Sequence, residues 1–462
     1  MKINEIPSPS AKHLSFDKLI HKYDVQVPRY TSYPSLPHWS NMPTGEQWET
    51  LIKKHLKASR EGISIYIHLP FCERLCTYCG CNTRITVNHQ VESPYIHNLL
   101  AEWEHYVRVF GQKPIIKELH LGGGTPTFFS PENLVRLLNA IFAHAEIAKN
   151  PEFSIEAHPG VTTRKHIEAL ADLGFKRISF GIQDFNPEIL KAINRLQTID
   201  QVEQVTRDAR SLGFDSVNYD FVYGLPFQKK EDIIRNVEYV KQLKPDRIAF
   251  YSYAHVPWKK GGQRKFTEAD LPGTLEKMDM YETGRKLFME AGYKEMGMDH
   301  FALPEDELNK ALRDKTLSRN FMGYIPHAPN MLIGLGCSAI SDTGDCYVQN
   351  HTVVEDYMAK VNSNIWAFVK GHPLTGAELR IKRHITNLMC YFETSWDESE
   401  DDFFGRVKKD LEVTHAEGIT ELYGRNLKIT QKGRHFVRNV CALIDPNIAK
   451  QTENKNRFSK AI

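Results

Sequence analysis

The sequence over residues 66–81 is Tyr66-Ile67-His68-Leu69-Pro70-Phe71-Cys72-Glu73-Arg74-Leu75-Cys76-Thr77-Tyr78-Cys79-Gly80-Cys81. This stretch starts in a predicted strand and runs into a loop with CxxxCxxC spacing, followed by one more cysteine. Three thiolates this close together can hold one iron–sulfur cluster and leave one iron without a protein ligand. Catalytic metal sites keep an open position, whereas structural sites are closed by four protein ligands. The pattern therefore favours a reactive cluster at a strand end.

A structural zinc site is the alternative for the same cysteines. Zinc sites usually combine two CxxC turns that lie apart in the sequence. This chain has no second CxxC or HxxxH pair, although Cys81 could complete a strained tetrahedron. The remaining cysteines are scattered, at Cys337, Cys346, Cys390 and Cys441, unlike the disulfide framework of a small secreted protein. The spacing favours a cluster and leaves zinc as the alternative.

Short β-branched segments alternate with amphipathic segments from residue 63 onward. The predicted strands are Ile63–His68, Ile116–Leu121, Glu152–Ala157, Arg177–Ile182, Ser216–Tyr223 and Arg247–Tyr253. Between the first two lies a helix for which Ser93 is the predicted N-cap and Pro94 the first residue. Apolar residues repeat at helical spacing in the later gaps. The alternation predicts an α/β fold with a parallel sheet, either doubly wound or a full or partial barrel. In each case ligands bind at the carboxyl ends of the strands.

The two ends of the chain differ from this pattern. Residues 1–50 are rich in Pro, Ser and His without a sustained period, which predicts an irregular N-terminal arm. Residues 51–364 form the predicted barrel. Residues 365–462 form a smaller, mainly helical C-terminal domain that starts with a capping box at Thr375 and Glu378. A short hairpin is expected near residues 419–430.

Composition limits the partners. The chain has 462 residues, with 59 Lys and Arg against 57 Asp and Glu, for a formal net charge of +2. This balance argues against general binding to nucleic acids or anionic membranes. No apolar run reaches the roughly 18 residues of a membrane span, and no secretory signal is visible. We expect a cytoplasmic protein, and the sequence shows no oligomerisation signature, so we expect a monomer.

Two further strand ends carry groups suited to a ligand. Gly122-Gly123-Gly124-Thr125-Pro126 follows the second predicted strand, where a glycine run lets the backbone approach a ligand. Glu156 ends the third strand, where a carboxylate can meet a cation or ribose hydroxyls. Each feature alone is weak, since glycine runs often mark tight turns and strand-end acids often face solvent.

With its CxxxCxxC loop followed by the glycine run one βα unit later, the chain resembles the radical S-adenosylmethionine (radical SAM) enzymes. The aromatic residue before the last cysteine of the motif, Tyr78, is also typical of that family. The resemblance implies a partial (β/α)6-type TIM-like barrel. It implies a [4Fe–4S] cluster whose fourth iron binds SAM and whose electron releases a 5′-deoxyadenosyl radical.

Further segments make the resemblance more specific. They are Pro28-Arg29-Tyr30-Thr31-Ser32-Tyr33-Pro34, Ser179-Phe180-Gly181-Ile182-Gln183-Asp184-Phe185, Asn194-Arg195, Asp220-Phe221-Val222-Tyr223-Gly224-Leu225-Pro226, Tyr253-Ala254-His255, Gly297-Met298-Asp299-His300-Phe301 and Gly334-Leu335-Gly336-Cys337-Ser338-Ala339-Ile340-Ser341. Together they resemble the oxygen-independent coproporphyrinogen III oxidase family. This implies oxidative decarboxylation of two propionates of coproporphyrinogen III to vinyl groups, giving protoporphyrinogen IX in heme biosynthesis. It also implies an electron donor such as a flavodoxin or ferredoxin.

The family's site residues are carried over by position. The implied cluster ligands are Cys72, Cys76 and Cys79. The residues implied to contact the cluster-bound SAM are Tyr66, Gly123, Glu156 and Ile340. Those implied to contact a second SAM are Tyr78, Gly124, Thr125, Gln183, Arg195, Asp220 and Ala254. Of these, the catalytic candidates are Tyr66, Glu156, Arg195 and Asp220. Two positions depart from the family: Tyr78 is often Phe there, and Ala157-His158-Pro159 is often Val-Asp-Pro.

Substrate contacts and competing functions stay open. Arg29 and Tyr30 either close over the anionic tetrapyrrole or only pack the arm against the barrel. Lys259, Lys260 and Arg264 are further propionate candidates, and the histidines worth testing are His68 and His300. The rival functions are a heme-trafficking relative, which usually has Phe at the Cys81 position and lacks the arm motif, and a radical SAM methyltransferase.

Overall fold

The computed structural model describes residues 14–258, 261–449 and 458–461. A twelve-stranded sheet forms the centre of the fold, and three small sheets lie outside it. The strands are β1 (Ile63–Leu69), β2 (Phe71–Cys72), β3 (Arg84–Ile85), β4 (Ile115–Gly123), β5 (Glu146–Ala157), β6 (Arg177–Gln183), β7 (Ser216–Tyr223), β8 (Arg247–Ser252), β9 (Lys294–Met296), β10 (His300–Ala302), β11 (Ser318–Asn320), β12 (Gly323–Ile325), β13 (Leu332–Leu335), β14 (Ile340–Asp342), β15 (Cys346–Asn350), β16 (Phe368–Pro373), β17 (Glu393–Ser395), β18 (Thr420–Tyr423) and β19 (Asn426–Ile429).

The large sheet has the order β16-β15-β14-β13-β1-β4-β5-β6-β7-β8-β10-β9. Its six central strands β1, β4, β5, β6, β7 and β8 lie side by side in chain order, and each pair is parallel. Parallel strands that follow one another in chain order form a curled sheet, as in a barrel. A doubly wound sheet reverses its strand order part-way, so this order excludes that alternative. Antiparallel strands at both edges leave it open. The predicted partial barrel and all six predicted strands are therefore confirmed.

Helices cover the outside of the curled sheet. They are α1 (Phe16–Tyr23), α2 (Gly45–Ala58), α3 (Glu92–Phe110), α4 (Pro131–Ala143), α5 (Arg164–Asp172), α6 (Pro187–Ala192), α7 (Ile199–Ser211), α8 (Lys230–Leu243), α9 (Thr274–Glu290), α10 (Glu307–Arg313), α11 (Val354–Asn362), α12 (Gly376–Tyr391), α13 (Asp401–Ala416), α14 (Val437–Leu443) and α15 (Pro446–Ala449). The predicted cap of α3 is wrong by two residues, because a turn of 3₁₀ helix at His89–Val91 leads directly into Glu92 and leaves Ser93 inside the first turn. Within the described residues, no helix combines the length and apolarity needed to cross a bilayer.

The N-terminal arm is less irregular than predicted. It contains helix α1, which buries Leu19, Ile20 and Tyr23 on one face. The arm then runs beside the C-terminal tail, where the Ala461 N–H donates to the Val25 carbonyl at 2.8 Å. Arg438 on α14 fastens the two segments by donating to the Pro28 carbonyl at 3.0 Å and to the Lys460 carbonyl at 3.0 Å. The arm and the tail are thus joined by the arm residues that directly precede Arg29.

The C-terminal residues follow the predicted elements. The capping box of Thr375 and Glu378 begins α12, and the hairpin of β18 and β19 is present. Strand β16 lies wholly beyond residue 364, yet it pairs with β15 of the large sheet. The division of the chain at residues 50 and 364 stays a prediction.

Glu102 on α3 connects this helix to the segment that precedes β14. Its carboxylate accepts hydrogen bonds from the Gly336 N–H at 2.8 Å, the Asn350 amide at 2.7 Å and the Tyr357 hydroxyl at 2.7 Å. Burial raises the pKa of Glu102 to about 7, and these hydrogen bonds oppose the shift. The carboxyl group therefore takes up a proton on folding at mildly acidic pH.

We predict that Glu102→Gln lowers the stability by about 1–3 kcal/mol, because the amide presents a donor to groups that already donate. The folded pKa lies above the unfolded one, so the stability from this group is complete at low pH and is lost as pH rises to about 7. The gap in thermal midpoint between wild type and variant should shrink from pH 5 to pH 8. Glu104→Gln, on the exposed side of the same helix, is the control. A gap that does not change with pH would contradict the assignment.

Candidate active site

A cavity of about 840 Å³ opens at the carboxyl ends of the parallel strands. Most of the predicted site residues line it: Cys72, Cys76, Tyr78, Cys79, Gly123, Gly124, Thr125, Glu156, Gln183, Arg195, Asp220 and Ala254. They come from loops that are far apart in the sequence and meet because parallel strands end at the same edge of the sheet. The cavity is large enough for ligands the size of a nucleotide or a tetrapyrrole.

The cysteine loop is fixed at both ends. At its start, β2 pairs with β3, and Cys72 Sγ lies 3.3 Å from Thr125 Oγ1. Further along, the Thr77 N–H donates to the Ile193 carbonyl at 3.0 Å, and the Asn194 side chain donates to the Leu75 carbonyl at 2.8 Å. The loop is therefore held by its own strand on one side and by the segment after α6 on the other.

The cysteine thiols lie in a partly buried, low-dielectric environment. Burial raises the pKa of Cys72 to about 12 and also raises that of Cys76, where the nearby Arg195 opposes the shift. Arg195 Nη1 lies 3.7 Å from Cys76 Sγ. Cysteine ligands bind metal as thiolates. The positive charge that stabilises these buried thiolates must come from the metal group together with Arg195.

The spacing of the thiols fits a cluster better than a single zinc ion. Sulfur ligands of tetrahedral zinc, at about 2.3 Å from the metal, lie within about 4 Å of one another. Across the described residues, a group of three ligand atoms within 4.8 Å of one another is formed by Glu118, Glu152 and His327, outside this cavity. The three cysteines do not form such a group, as expected for ligands of different irons. Three sulfur donors facing an open cavity fit a [4Fe–4S] cluster.

The glycine run brings backbone close to the cysteine loop. Gly123 has a φ of +115°, a conformation that side chains disfavour, and its N–H donates to Glu156 Oε2 at 3.3 Å. A Cβ atom on Gly124 would lie 2.5 Å from the Pro70 carbonyl oxygen. Both glycines are therefore required by space and conformation.

Two carboxyl groups that face the cavity, Glu156 and Asp220, differ in their pKa. Burial raises the pKa of Glu156, but the hydrogen bond from His120 at 3.3 Å and that from Gly123 outweigh it, so the pKa is lowered overall. Burial and the neighbouring Glu156 raise the pKa of Asp220 to about 6. Glu156 is therefore ionised at neutral pH, while Asp220 titrates just below neutrality.

Arg195 and Gln183 form the wall beside the thiols. Arg195 is buried and donates to the Gly181 carbonyl, and its Nε donates to Gln197 at 2.9 Å. Gln183 follows a bulge between β6 and β7 and has a φ of +68°. That backbone conformation is costly for a residue with a side chain, so the position is held by its surroundings.

Tyr66 and Ile340 are not among the cavity-lining residues. Tyr66 is 6% exposed, and its hydroxyl lies 3.0 Å from His68 Nδ1. Ile340 begins the strand β14, one strand removed from β1. His68 in turn contacts the Asn82 carbonyl beyond the cysteine loop at 2.9 Å. Tyr66 and His68 therefore link β1 to the segment that follows the cysteine loop.

The substrate candidates separate into two groups. Arg29 lines the cavity and donates to the Ser252 carbonyl at 2.9 Å, whereas Tyr30 is buried and its hydroxyl lies 3.2 Å from Asp445. Arg264 donates to the Pro257 carbonyl and is not among the lining residues. Lys259 and Lys260 lie outside the described residues.

Sequence reasoning missed Arg319 and Tyr251, which also line the cavity. Arg319 lies on the β11–β12 hairpin, buried against Asp299 with N···O distances of 3.3 and 3.4 Å. Tyr251 lies 3.5 Å from His300 Nε2, whose Nδ1 lies 2.7 Å from Asp299. The one sequence feature that pointed to this part of the cavity was the motif around Asp299 and His300. No periodic pattern marks Arg319 or its short hairpin.

Comparison with known proteins places these features in one family. The radical SAM superfamily model matches residues 66–240. The chain is 36% identical to the oxygen-independent coproporphyrinogen III oxidase of Pseudomonas aeruginosa over 96% of this chain and 98% of that protein. It is 34% identical to the enzyme of the same name from Escherichia coli over 98% of this chain and 100% of that protein.

The chain belongs to the oxygen-independent coproporphyrinogen III oxidase family. A solved structure of coproporphyrinogen III oxidase from Escherichia coli, described as a radical SAM enzyme, superposes with a TM-score of 0.87 at 33% identity, covering 94% of this chain and 100% of that one. The predicted family and the radical SAM fold are thus confirmed. As a member of this oxidase family, the chain is a radical SAM enzyme.

We predict that Gly124→Ala impairs cluster assembly, since the added methyl group meets the Pro70 carbonyl and must displace the cysteine loop. Overpacking of this kind costs about 1–3 kcal/mol. After anaerobic reconstitution, the variant should hold clearly less iron and sulfide than the wild type. Gly80→Ala is the matched control, because a Cβ on Gly80 meets no atom within 4 Å. Equal iron content in both variants would contradict this role of Gly124.

Proposed function

We propose that this chain decarboxylates two propionate side chains of coproporphyrinogen III to vinyl groups without oxygen, giving protoporphyrinogen IX in heme biosynthesis. The observation that carries the proposal is the CxxxCxxC loop facing an 840 Å³ cavity in a chain aligned end to end with oxidases of that name. Each propionate loses one hydrogen atom from its β-carbon and then releases CO₂ and one electron. That electron passes to a separate one-electron acceptor.

In this proposal Cys72, Cys76 and Cys79 hold a [4Fe–4S] cluster. When bound, the cluster supplies one-electron reduction of SAM, which releases a 5′-deoxyadenosyl radical. Glu156, ionised and beside Gly123, accepts hydrogen bonds from ribose hydroxyls or the ammonium group of this SAM. Tyr66 and Ile340 shape the wall behind it. Burial of the cavity walls keeps water away from the reactive carbon.

The second SAM is a separate part of the proposal. Gln183, Arg195 and Asp220 line the cavity next to Tyr78, Gly124, Thr125 and Ala254. Arg195 can hold a methionyl carboxylate, and the Asp220 carboxylate can accept from an ammonium or ribose group. The two SAM molecules would be used for two propionates.

The remaining partners follow from the chemistry. Reduction of the cluster needs a one-electron donor, and a flavodoxin or ferredoxin fits that role. No disulfide joins any of the eight cysteines, all of which lie within the described residues; this suits a reducing compartment, and we propose a monomer in the cytoplasm.

We predict that the chain, reconstituted anaerobically with iron, sulfide and reductant, converts coproporphyrinogen III and SAM to protoporphyrinogen and 5′-deoxyadenosine. Cys76→Ala should lower both products at least about a hundredfold, since it removes a cluster ligand. Cys81→Ala is the matched control in the same loop and should keep the cluster. Product analysis by mass spectrometry separates the rivals: heme binding without vinyl product favours a trafficking protein, and a methylated product favours a methyltransferase. Deoxyadenosine without vinyl product would contradict the substrate but not the radical chemistry.

We predict that wild type binds two SAM molecules per chain and that Asp220→Asn weakens the second about tenfold, because it removes the charge from a charge-assisted hydrogen bond. The affinity of this second site should also fall as pH drops through about 6, when Asp220 is protonated. The charged groups that face Asp220 are Glu156, which raises its pKa, and His300, which lowers it. Asp215→Asn, just before the start of the same strand, is the control. One SAM per chain in the wild type would overturn this assignment.

A further inference from the structure

A second cavity of about 60 Å³ adjoins the reaction cavity on the side of the N-terminal arm. Arg29 and Ser252 line both cavities, so the two are neighbours across the hydrogen bond that joins these residues. Its other walls come from α9, α14 and the C-terminal tail, including Lys277, Arg438 and Ala461. The volume suits roughly four to six water molecules, or the carboxylate end of a ligand side chain.

The walls of this side cavity carry an excess of positive charge. Asp299 is the acidic residue among the described lining residues, and Arg319 and His300 already engage it at 3.3 and 2.7 Å. Arg434 is compensated by Glu295 at 2.5 Å. Arg29 and Arg438, by contrast, donate to backbone carbonyl oxygens, and across the described residues neither forms an ion pair.

The crowding of these cations affects their ionisation. Burial first, and then the charge of Arg29, lower the pKa of Lys277 to about 7. Burial and Arg29 also lower the pKa of Arg438 to about 9. Arg438 is a buried cation without an acidic partner across the described residues, and such a charge is unfavourable until an anion joins it. Lys277 Nζ donates to the Tyr253 carbonyl at 2.9 Å, at the end of the strand that leads into the reaction cavity.

We propose that this side cavity binds a carboxylate arm of the tetrapyrrole that does not react, with Arg29, Lys277 and Arg438 as the anion-binding groups. The inference rests on the proposed function, in which two of four propionates are converted and two stay ionised. An arm anchored past Arg29 fixes the rotation of the ring, so that a reacting propionate points toward the cluster and the retained ones point toward the arm. The arm, α9 and α14 each contribute one cation, so the cationic set is complete only when all three are in place.

The test compares Lys277→Met, which keeps length and removes charge, with Lys286→Met on the exposed side of the same helix. The probe is coproporphyrin III, the oxidised and unreactive tetracarboxylate, titrated by fluorescence quenching. We expect Lys277→Met to weaken its binding about tenfold or more, since charged hydrogen bonds are lost. The KM for coproporphyrinogen should rise more than kcat falls. SAM affinity and thermal midpoint should match the wild type, and Lys286→Met should change none of these values.

The outcomes separate the two proposals. If wild type forms vinyl product and Lys277→Met binds coproporphyrin III as tightly as wild type, the side-cavity proposal is overturned and the function stands. If Lys277→Met lowers SAM affinity or thermal midpoint together with porphyrin affinity, the lysine is structural and the proposal is again overturned. If wild type neither binds coproporphyrin III nor forms vinyl product, the proposed function fails and the inference fails with it.

Discussion

The cysteine loop can pass close to the ends of β1 and β4 because Gly124 has no side chain. The Gly124 N–H donates to the Leu69 carbonyl at 2.8 Å, and the Thr125 N–H donates to the Phe71 carbonyl at 3.0 Å. These bonds continue the pairing of β1 and β4 past the sheet edge and hold the two loops in contact. As a result Thr125 reaches Cys72, and the Gly123 N–H reaches Glu156. The contact between two strand ends thus fixes the ligand-bearing loop, a hydrogen-bond donor and a carboxylate together.

The charges around this loop are arranged to suit an anionic cluster of thiolates. Buried thiols resist ionisation, as the raised pKa values of Cys72 and Cys76 show. Arg195 is the cation closest to Cys76, and its guanidinium is fixed by the Gly181 carbonyl and Gln197 before any ligand arrives. A preorganised cation costs little reorganisation when charge develops next to it. Arg195 can therefore serve two neighbours, a thiolate on one side and a ligand carboxylate on the other.

Local patterns predicted the six parallel strands because they are β-branched runs separated by amphipathic helices of ordinary length. They left the topology open, since strand periodicity does not encode which strands pair. The family resemblance supplied the barrel, and the sequential strand order in the structure confirms it. Helix α1 and the hairpin of β11 and β12 were missed because each is short and is stabilised by tertiary packing rather than by propensity. Arg319 was missed with that hairpin, since its position depends on Asp299, which precedes β10.

The same cavity carries opposite charges on different walls. Glu156 and Asp220 lie on the strands β5 and β7, while Arg29 and Arg319 come from the arm and from the β11–β12 hairpin. SAM has a sulfonium and an ammonium group, and a tetrapyrrole with propionate arms is an anion. Under the proposed function, each ligand is attracted to a different wall, and this separation would orient both before they meet. The strands β5 and β7 supply these acids, whereas the arm and the hairpin supply Arg29 and Arg319, so a barrel shared with other radical SAM enzymes can be adapted to an anionic substrate by segments outside its parallel strands.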